Sequence, residues 1–200
     1  MIAIVKYNAG NIRSVQFALQ RLGIDAVWTD DPDVLRASDK VIFPGVGEAS
    51  SAMRYLRERG LDAVLRGLQR PVLGICLGLQ LFCRHTEEGD TRCLGIFDAD
   101  VRHFPSQILE AGTVRLKVPH IGWNTLSEMQ GPLFKGIKDG SYVYFVHSYY
   151  AEMHRDIVAQ STYGVPFSAA LQHGNFFAVQ FHPEKSGPVG QRILENFLNL

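Results

Sequence analysis

Two hundred residues, 46% of them hydrophobic and 20% charged, hold enough apolar material for one packed core and are too order-promoting for a disordered chain. Twenty Lys and Arg balance twenty Asp and Glu, so no net field draws the chain to nucleic acid or to an anionic membrane. No apolar run approaches the roughly 20 residues needed to span a bilayer, and the apolar start is too short for the core of a signal peptide. The expectation is a single domain over residues 1–200, located in the cytoplasm, with no nucleic acid or membrane as partner. Cys76, Cys83 and Cys93 form an odd set without close pairing, which suggests reduced thiols rather than a disulfide framework or a zinc clip.

In chain order, short β-branched runs alternate with stretches of helical period through the first half, the pattern of βα units on a mainly parallel sheet. A strand is predicted over 2–7, then a helix whose Val15, Ala18, Leu19 and Leu22 share one face and whose end Gly23 caps. Strands follow at 26–29 and 40–43. The latter runs into Pro44-Gly45-Val46-Gly47, and a helix continues through Met53, Leu56 and Arg57 to Gly60. The strand over 71–75 is apolar beyond its proline, as a central strand buried on both faces requires, and a helical stretch over 79–85 comes next. Beyond Glu88 the pattern changes to strands at 101–104, 113–118, 142–146, 158–162, 168–173 and 176–181 without long helices between them. Gly174-Asn175 reads as a two-residue hairpin turn, and a helix over 189–198 closes the chain. The fold class is therefore α/β: a central, mixed but mainly parallel sheet flanked by helices, with added antiparallel strands in the second half.

The chemistry concentrates at Gly74-Ile75-Cys76-Leu77-Gly78. Glycines at −2 and +2 of a nucleophile are what a sharp strand-to-helix turn needs, because a side chain at either place strikes neighbouring backbone. Free N–H groups at the start of the helix favour a thiolate there, although a random cysteine is more often a small buried hydrophobe. His182-Pro183-Glu184 follows a second apolar strand. Residues i and i+2 of an extended segment point to the same side, so Glu184 is expected beside the His182 imidazole. A thiol, a base and a carboxylate that orients the base make up a nucleophilic triad, while His-Pro-Glu alone is usually a polar loop. Acyl transfer also needs N–H donors for a developing oxyanion. Leu77 offers one by position, and the glycine loop at 45–47 offers another or is merely a strand-to-helix turn.

These residues resemble the class I (triad-type) glutamine amidotransferases and, within them, the glutaminase subunits of imidazole glycerol phosphate synthase, which serve histidine biosynthesis. The resemblance covers essentially the whole chain. It rests on Tyr7-Asn8-Ala9-Gly10-Asn11-Ile12, Pro44-Gly45-Val46-Gly47, Gly74 to Gln80, Pro119-His120-Ile121-Gly122-Trp123-Asn124, Tyr144-Phe145-Val146-His147-Ser148-Tyr149 and Gln180 to Ser186. It implies hydrolysis of L-glutamine, with Cys76 as nucleophile, His182 as proton shuttle and Glu184 as its orienter. Gly47 and Leu77 are implied as oxyanion donors, and Gln80, Glu88, Ser148 and Tyr149 as the groups holding the amino-acid end of the substrate. A carboxylate pairs naturally with an α-ammonium, although Glu88 also reads as an ordinary exposed acid.

The implied partner is a (β/α)8-barrel cyclase subunit in a heterodimer, using the ammonia to make imidazole glycerol phosphate and an aminoimidazole carboxamide ribotide. Asn8, Asn11, Trp123, Asn124, Tyr144 and Lys185 match positions at that junction, with Trp123 and Tyr144 equally able to be core aromatics. The resemblance further implies weak activity without the partner, through an N–H of the Pro-Gly-Val-Gly loop that rotates into place when the partner and its ligand bind. The remaining readings are a subunit of another synthase, a thiol peptidase or γ-glutamyl hydrolase on the same scaffold, or a binding module that keeps only the fold. Phosphate-loop and dinucleotide fingerprints are absent and His120, His147 and His173 read as isolated, so neither cofactor nor metal is expected.

Overall fold

The computed structural model describes residues 1–7, 12–105, 108–110 and 114–200; Asn8 and Asn11 lie outside them. The first half runs β1 (Ile2–Val5), α1 (Arg13–Arg21), β2 (Val27–Thr29), α2 (Pro32–Ala37), β3 (Lys40–Phe43), α3 (Ala49–Glu58), α4 (Leu61–Gly67), β4 (Val72–Ile75) and α5 (Leu77–Phe82). The second half runs β5 (His85–Thr86), β6 (Thr91–Arg92), β7 (Asp100–His103), β8 (Ile108–Glu110), β9 (Val114–Leu116), β10 (His120–Thr125), β11 (Tyr142–His147), β12 (Tyr149–Ala151), β13 (Ile157–Tyr163), β14 (Val165–His173), β15 (Phe176–Val179) and α6 (Gly187–Leu198). Single 3-10 turns lie at Pro132–Phe134 and Pro183–Lys185.

One sheet in the order β13-β14-β15-β4-β3-β1-β2 organises these elements. β15, β4, β3, β1 and β2 are parallel, while β14 adds antiparallel to β15 and β13 antiparallel to β14. Alternation along each strand divides the core in two, because successive side chains leave a strand on opposite faces. Ala3, Val5, Val41 and Phe43 pack with Met53, Leu56 and Leu65 of α3 and α4. Ile4, Ile42, Leu73 and Ile75 pack with Leu19 of α1 and with Ile193 and Phe197 of α6. A smaller sheet, β12-β7-β5-β6, and the β10–β11 pair lie outside this frame.

Two short helices escape the sequence reading. Asp31 accepts from the N–H groups of Asp33 and Val34 with Pro32 at the first helical position, a capping signature that starts α2 between the strands predicted at 26–29 and 40–43. Gly60, with φ +66°, breaks the chain between α3 and α4. The helix after Cys76 stops at Phe82 rather than running to 85, because Phe82 O accepts from Ile96 and Phe97 N–H and Cys83 O from Gly95 N–H, and His85 enters β5. β10 and β12 were not anticipated.

Candidate active site

β4 carries Cys76 to the carboxyl edge of the sheet, where ligands bind in open α/β folds. Cys76 has φ +54° and ψ −106°, a region a side-chain-bearing residue adopts only when its surroundings impose it. The glycines explain how. A Cβ on Gly78 would strike the carbonyl oxygen of Phe43, and one on Gly74 would sit 2.8 Å from the Phe82 ring and 2.9 Å from the Gly78 carbonyl carbon. A Cβ on Gly45 would strike Leu77 and approach the Gly78 nitrogen at 2.7 Å. The elbow is therefore packed so closely against β3 and its following loop that all three positions exclude any side chain.

His182 stands across from Cys76 at the end of β15. Its N–H donates to Tyr144 O (2.9 Å), and Ser186 Oγ donates to His182 O (2.7 Å) while accepting from Tyr144 N–H (2.9 Å), tying the loop to β11. His182 Nδ1 meets Glu184 Oε1 at 2.8 Å, with both side chains buried. The two do meet, but not through an extended zigzag: Pro183 opens a 3-10 turn that curls Glu184 back to the ring. With Nδ1–H donating to the carboxylate, Nε2 is the basic nitrogen. It is buried without a hydrogen-bond partner among the described residues. Burial works against a charged ring here, but the Cys76 sulfur and the Glu184 carboxylate outweigh it and hold His182 up to about 10.

A cleft of about 350 Å³ opens over the sulfur, within the roughly 300–1,000 Å³ of small-molecule sites. Gly45 to Gly47, Cys76, Leu77, Gln80 and Glu88 line one side, and Pro119, Ile121 and Val146 to Tyr149 the other. The predicted Gly47, Leu77, Gln80, Glu88, Ser148 and Tyr149 thus all reach the cleft that holds Cys76. Sγ lies 3.7 Å from Val146 O, and Gln180 Nε2 donates to Sγ at 3.6 Å. Gln80 Nε2 donates to Tyr149 O (2.9 Å) and to Gln180 Oε1 (3.2 Å). Glu88 Oε2 accepts from Ala49 N–H at the start of α3 (2.8 Å), and half-burial pushes its carboxyl upward. Leu77 N–H donates to Gly45 O at 3.4 Å, and Gly47 has φ +133°. Burial pushes Cys93 up to about 12 and Cys83 well above a free thiol.

The β10–β11 register explains the remaining residues. Trp123 opposes Tyr144 and Ile121 opposes Val146 on the outer face, where Trp123 meets Tyr144 edge-to-face at 5.9 Å and stays 55% exposed. Asn124 belongs to the inner face, with its carboxamide engaged by Thr162 O (2.9 Å) and Thr125 N–H (2.8 Å). Lys185 is exposed beside Glu184. One expectation is corrected: His120 and His147 are not isolated. They oppose each other in the register, and His120 Nδ1 lies 3.0 Å from His147 Nε2. Sequence reasoning also missed Gln180 and Ser186. Both stand inside the quoted motifs, but no spacing signal marked their contacts with the sulfur and with the His182 carbonyl.

The family model for glutamine amidotransferase class I matches residues 5–200. The chain belongs to the class I glutamine amidotransferases. Among curated relatives of this family, the imidazole glycerol phosphate synthase subunit HisH of Bacteroides fragilis strain YCH46 is 56% identical over 199 residues, covering 100% of this chain and 99% of the relative. The HisH subunit of Vibrio cholerae is 44% identical over 206 residues, covering 100% and 98%. Among solved structures, a glutamine amidotransferase superposes with a TM-score of 0.73 at 21% identity, covering 99% of this chain and 97% of that one. PurLQS from Thermotoga maritima superposes with a TM-score of 0.71 at 19% identity, covering 99% and 97%. The class I amidotransferase fold is thus shared even where identity is low. Among the described residues no helix is long and apolar enough to cross a membrane.

Proposed function

We propose that this chain is the glutaminase subunit of imidazole glycerol phosphate synthase, hydrolysing L-glutamine to glutamate and ammonia and passing the ammonia to a cyclase subunit with a (β/α)8 barrel. The observation that carries the chemistry is the strained Cys76 lining the cleft, facing a His182 whose other nitrogen is held by Glu184 at 2.8 Å. Full-length relatives at 42–56% identity that carry the HisH name support the choice of synthase.

In this reading His182, held protonated at neutral pH, faces the sulfur as an imidazolium; Sγ attacks the side-chain carboxamide carbon as a thiolate, and Nε2–H gives its proton to the departing nitrogen so that ammonia leaves. Water, deprotonated by the now neutral imidazole, then attacks the thioester. The C–S bond breaks, glutamate departs, and the thiolate–imidazolium pair is restored. Gln80 and Glu88, with the Ser148–Tyr149 backbone, hold the amino-acid end. Leu77 N–H and the loop ending in Gly47 serve the oxyanion. Leu77 N–H is turned to Gly45 O, so an oxyanion must displace that carbonyl, and rotation of the glycine-flanked peptide supplies the movement. The outer face around Trp123, Tyr144 and Lys185 receives the cyclase.

The test is a glutamine-mimicking electrophile followed by peptide mapping. Modification of Cys76 alone supports the assignment, whereas modification of Cys83 or Cys93 with Cys76 untouched contradicts it. Glutaminase turnover with and without the cyclase and its ligand tests the rotation, and equal rates would remove the need for it.

A further inference from the structure

Neither His147 nor His120 belongs to the triad, yet both are buried and hydrogen-bonded beside the cleft, and His147 lines it. Their protonation is dictated by their neighbours. Tyr149 O, 2.7 Å from His147 Nδ1, can only accept, so Nδ1 carries the hydrogen. His147 Nε2 is then an acceptor and takes the Nδ1–H of His120 at 3.0 Å. His120 Nε2 in turn faces the Asn124 amide nitrogen at 3.5 Å. Both rings are locked among aromatic neighbours, with His120 stacked on Tyr163 at 4.0 Å and on Phe145 at 4.9 Å.

The same Tyr149 carbonyl receives Gln80 Nε2, and the second Nε2 hydrogen of Gln80 goes to Gln180 Oε1. A carboxamide with both N–H bonds engaged cannot flip without setting its oxygen against a carbonyl. Gln80 Oε1 is therefore left as the acceptor in a residue that lines the cleft.

We propose that the His147–His120 pair is a positioning device for glutamine: by fixing the Tyr149 carbonyl it sets the orientation of Gln80 and thereby the acceptor offered to the substrate's α-ammonium. The pair acts through Gln80 rather than on the reacting carbon, so its removal weakens substrate capture more than bond cleavage. This inference rests on the glutaminase reading. Burial holds both rings neutral, His120 down to about 4 and His147 to about 3, in keeping with the tautomers that the bonds require.

The experiment compares His147→Phe, which keeps the ring packing but removes both nitrogens, with His147→Asn, whose amide N–H sits near the place of Nδ1. Both are assayed in the complex with the cyclase subunit. The expected result for His147→Phe is a KM for glutamine raised about tenfold, the scale of one lost hydrogen bond, with a smaller fall in kcat. His147→Asn should recover most of the KM. An unchanged KM in a folded His147→Phe, or a His147→Asn no better than His147→Phe, overturns the proposal while leaving the glutaminase reading intact. A wild-type complex that turns over no glutamine would overturn that reading and the substrate role built on it. Imidazole ¹⁵N shifts of the wild-type protein give a check independent of any variant's folding: a hydrogen on His147 Nε2 at neutral pH contradicts the scheme.

Discussion

The end of β4 and the β10–β11 pair line the same cleft, but they are built by opposite rules. The elbow is defined by what is missing: Gly45, Gly74 and Gly78 are bare because Phe43, Leu77 and Phe82 leave no room, and this forces Cys76 into its positive φ. The strand pair is defined by what is present on each face, with Ile121, Trp123 and Tyr144 outward and His120, Asn124, Phe145 and His147 inward. A site made by exclusion fixes one atom. A site made by alternation fixes two faces at once, and both contribute to the cleft, Ile121 and Val146 from the outer one and His147 from the inner.

Substitutions should expose that difference, and the largest effects belong to the elbow. Cys76→Ala should lower glutamine-dependent synthesis by about 10⁴-fold or more while synthesis from added ammonia persists, measured side by side in the complex. Glu184→Gln retains the shape but not the charge that holds the His182 Nδ1–H, and kcat should fall about 10²–10⁴-fold. Thermal denaturation of Gly78→Ala should reveal a loss of roughly 3 kcal/mol or more, as its new Cβ meets Phe43 backbone that cannot retreat.

Smaller effects belong to the strand pair. His120 and His147 are held neutral by burial, at about 4 and 3, so between pH 6.5 and about 4 the unfolded chain binds protons that the folded chain refuses. Stability should therefore fall on acidification by about 1.4 kcal/mol per pH unit for each histidine. His182, the other charged group bearing on His147, has the opposite sign. Its raised value gives stability that is complete below about 6.5 and lost as pH rises toward 10. Denaturant midpoints across pH should form a dome, and a flat acid limb would contradict the buried neutral pair. Last, Trp123→Ala removes an exposed ring: the free chain should change by no more than about 0.5 kcal/mol. Binding to the cyclase should weaken by about 2 kcal/mol if the outer face is the junction, a split that calorimetry can read.

The parallel core and its nucleophile were legible because their signals are local. A strand buried on both faces reads as an unbroken apolar run, and Gly-x-Cys-x-Gly states its turn within five residues. The His182–Glu184 contact was legible in outcome but not in cause, since an extended segment and a 3-10 turn bring the same two residues together. The inner network was not legible. Gln180, Gln80, the His147–Tyr149 segment and His120 come from four separate stretches of chain, and whether a histidine between apolar residues finds a partner depends on a cross-strand register that no single segment encodes.

Residue order by itself therefore determined the α/β frame, the bare glycines and the identity of a thiol, an imidazole and a carboxylate able to work together, because each follows from steric or hydrogen-bonding needs of neighbours in the chain. Tertiary structure alone decided that Leu77 N–H is turned to Gly45 O, that Asn124 faces inward while Trp123 faces out, and that two histidines 27 positions apart share one hydrogen bond. These are outcomes of packing between distant segments, where the cost of an unsatisfied buried polar atom is settled by whichever partner the fold delivers.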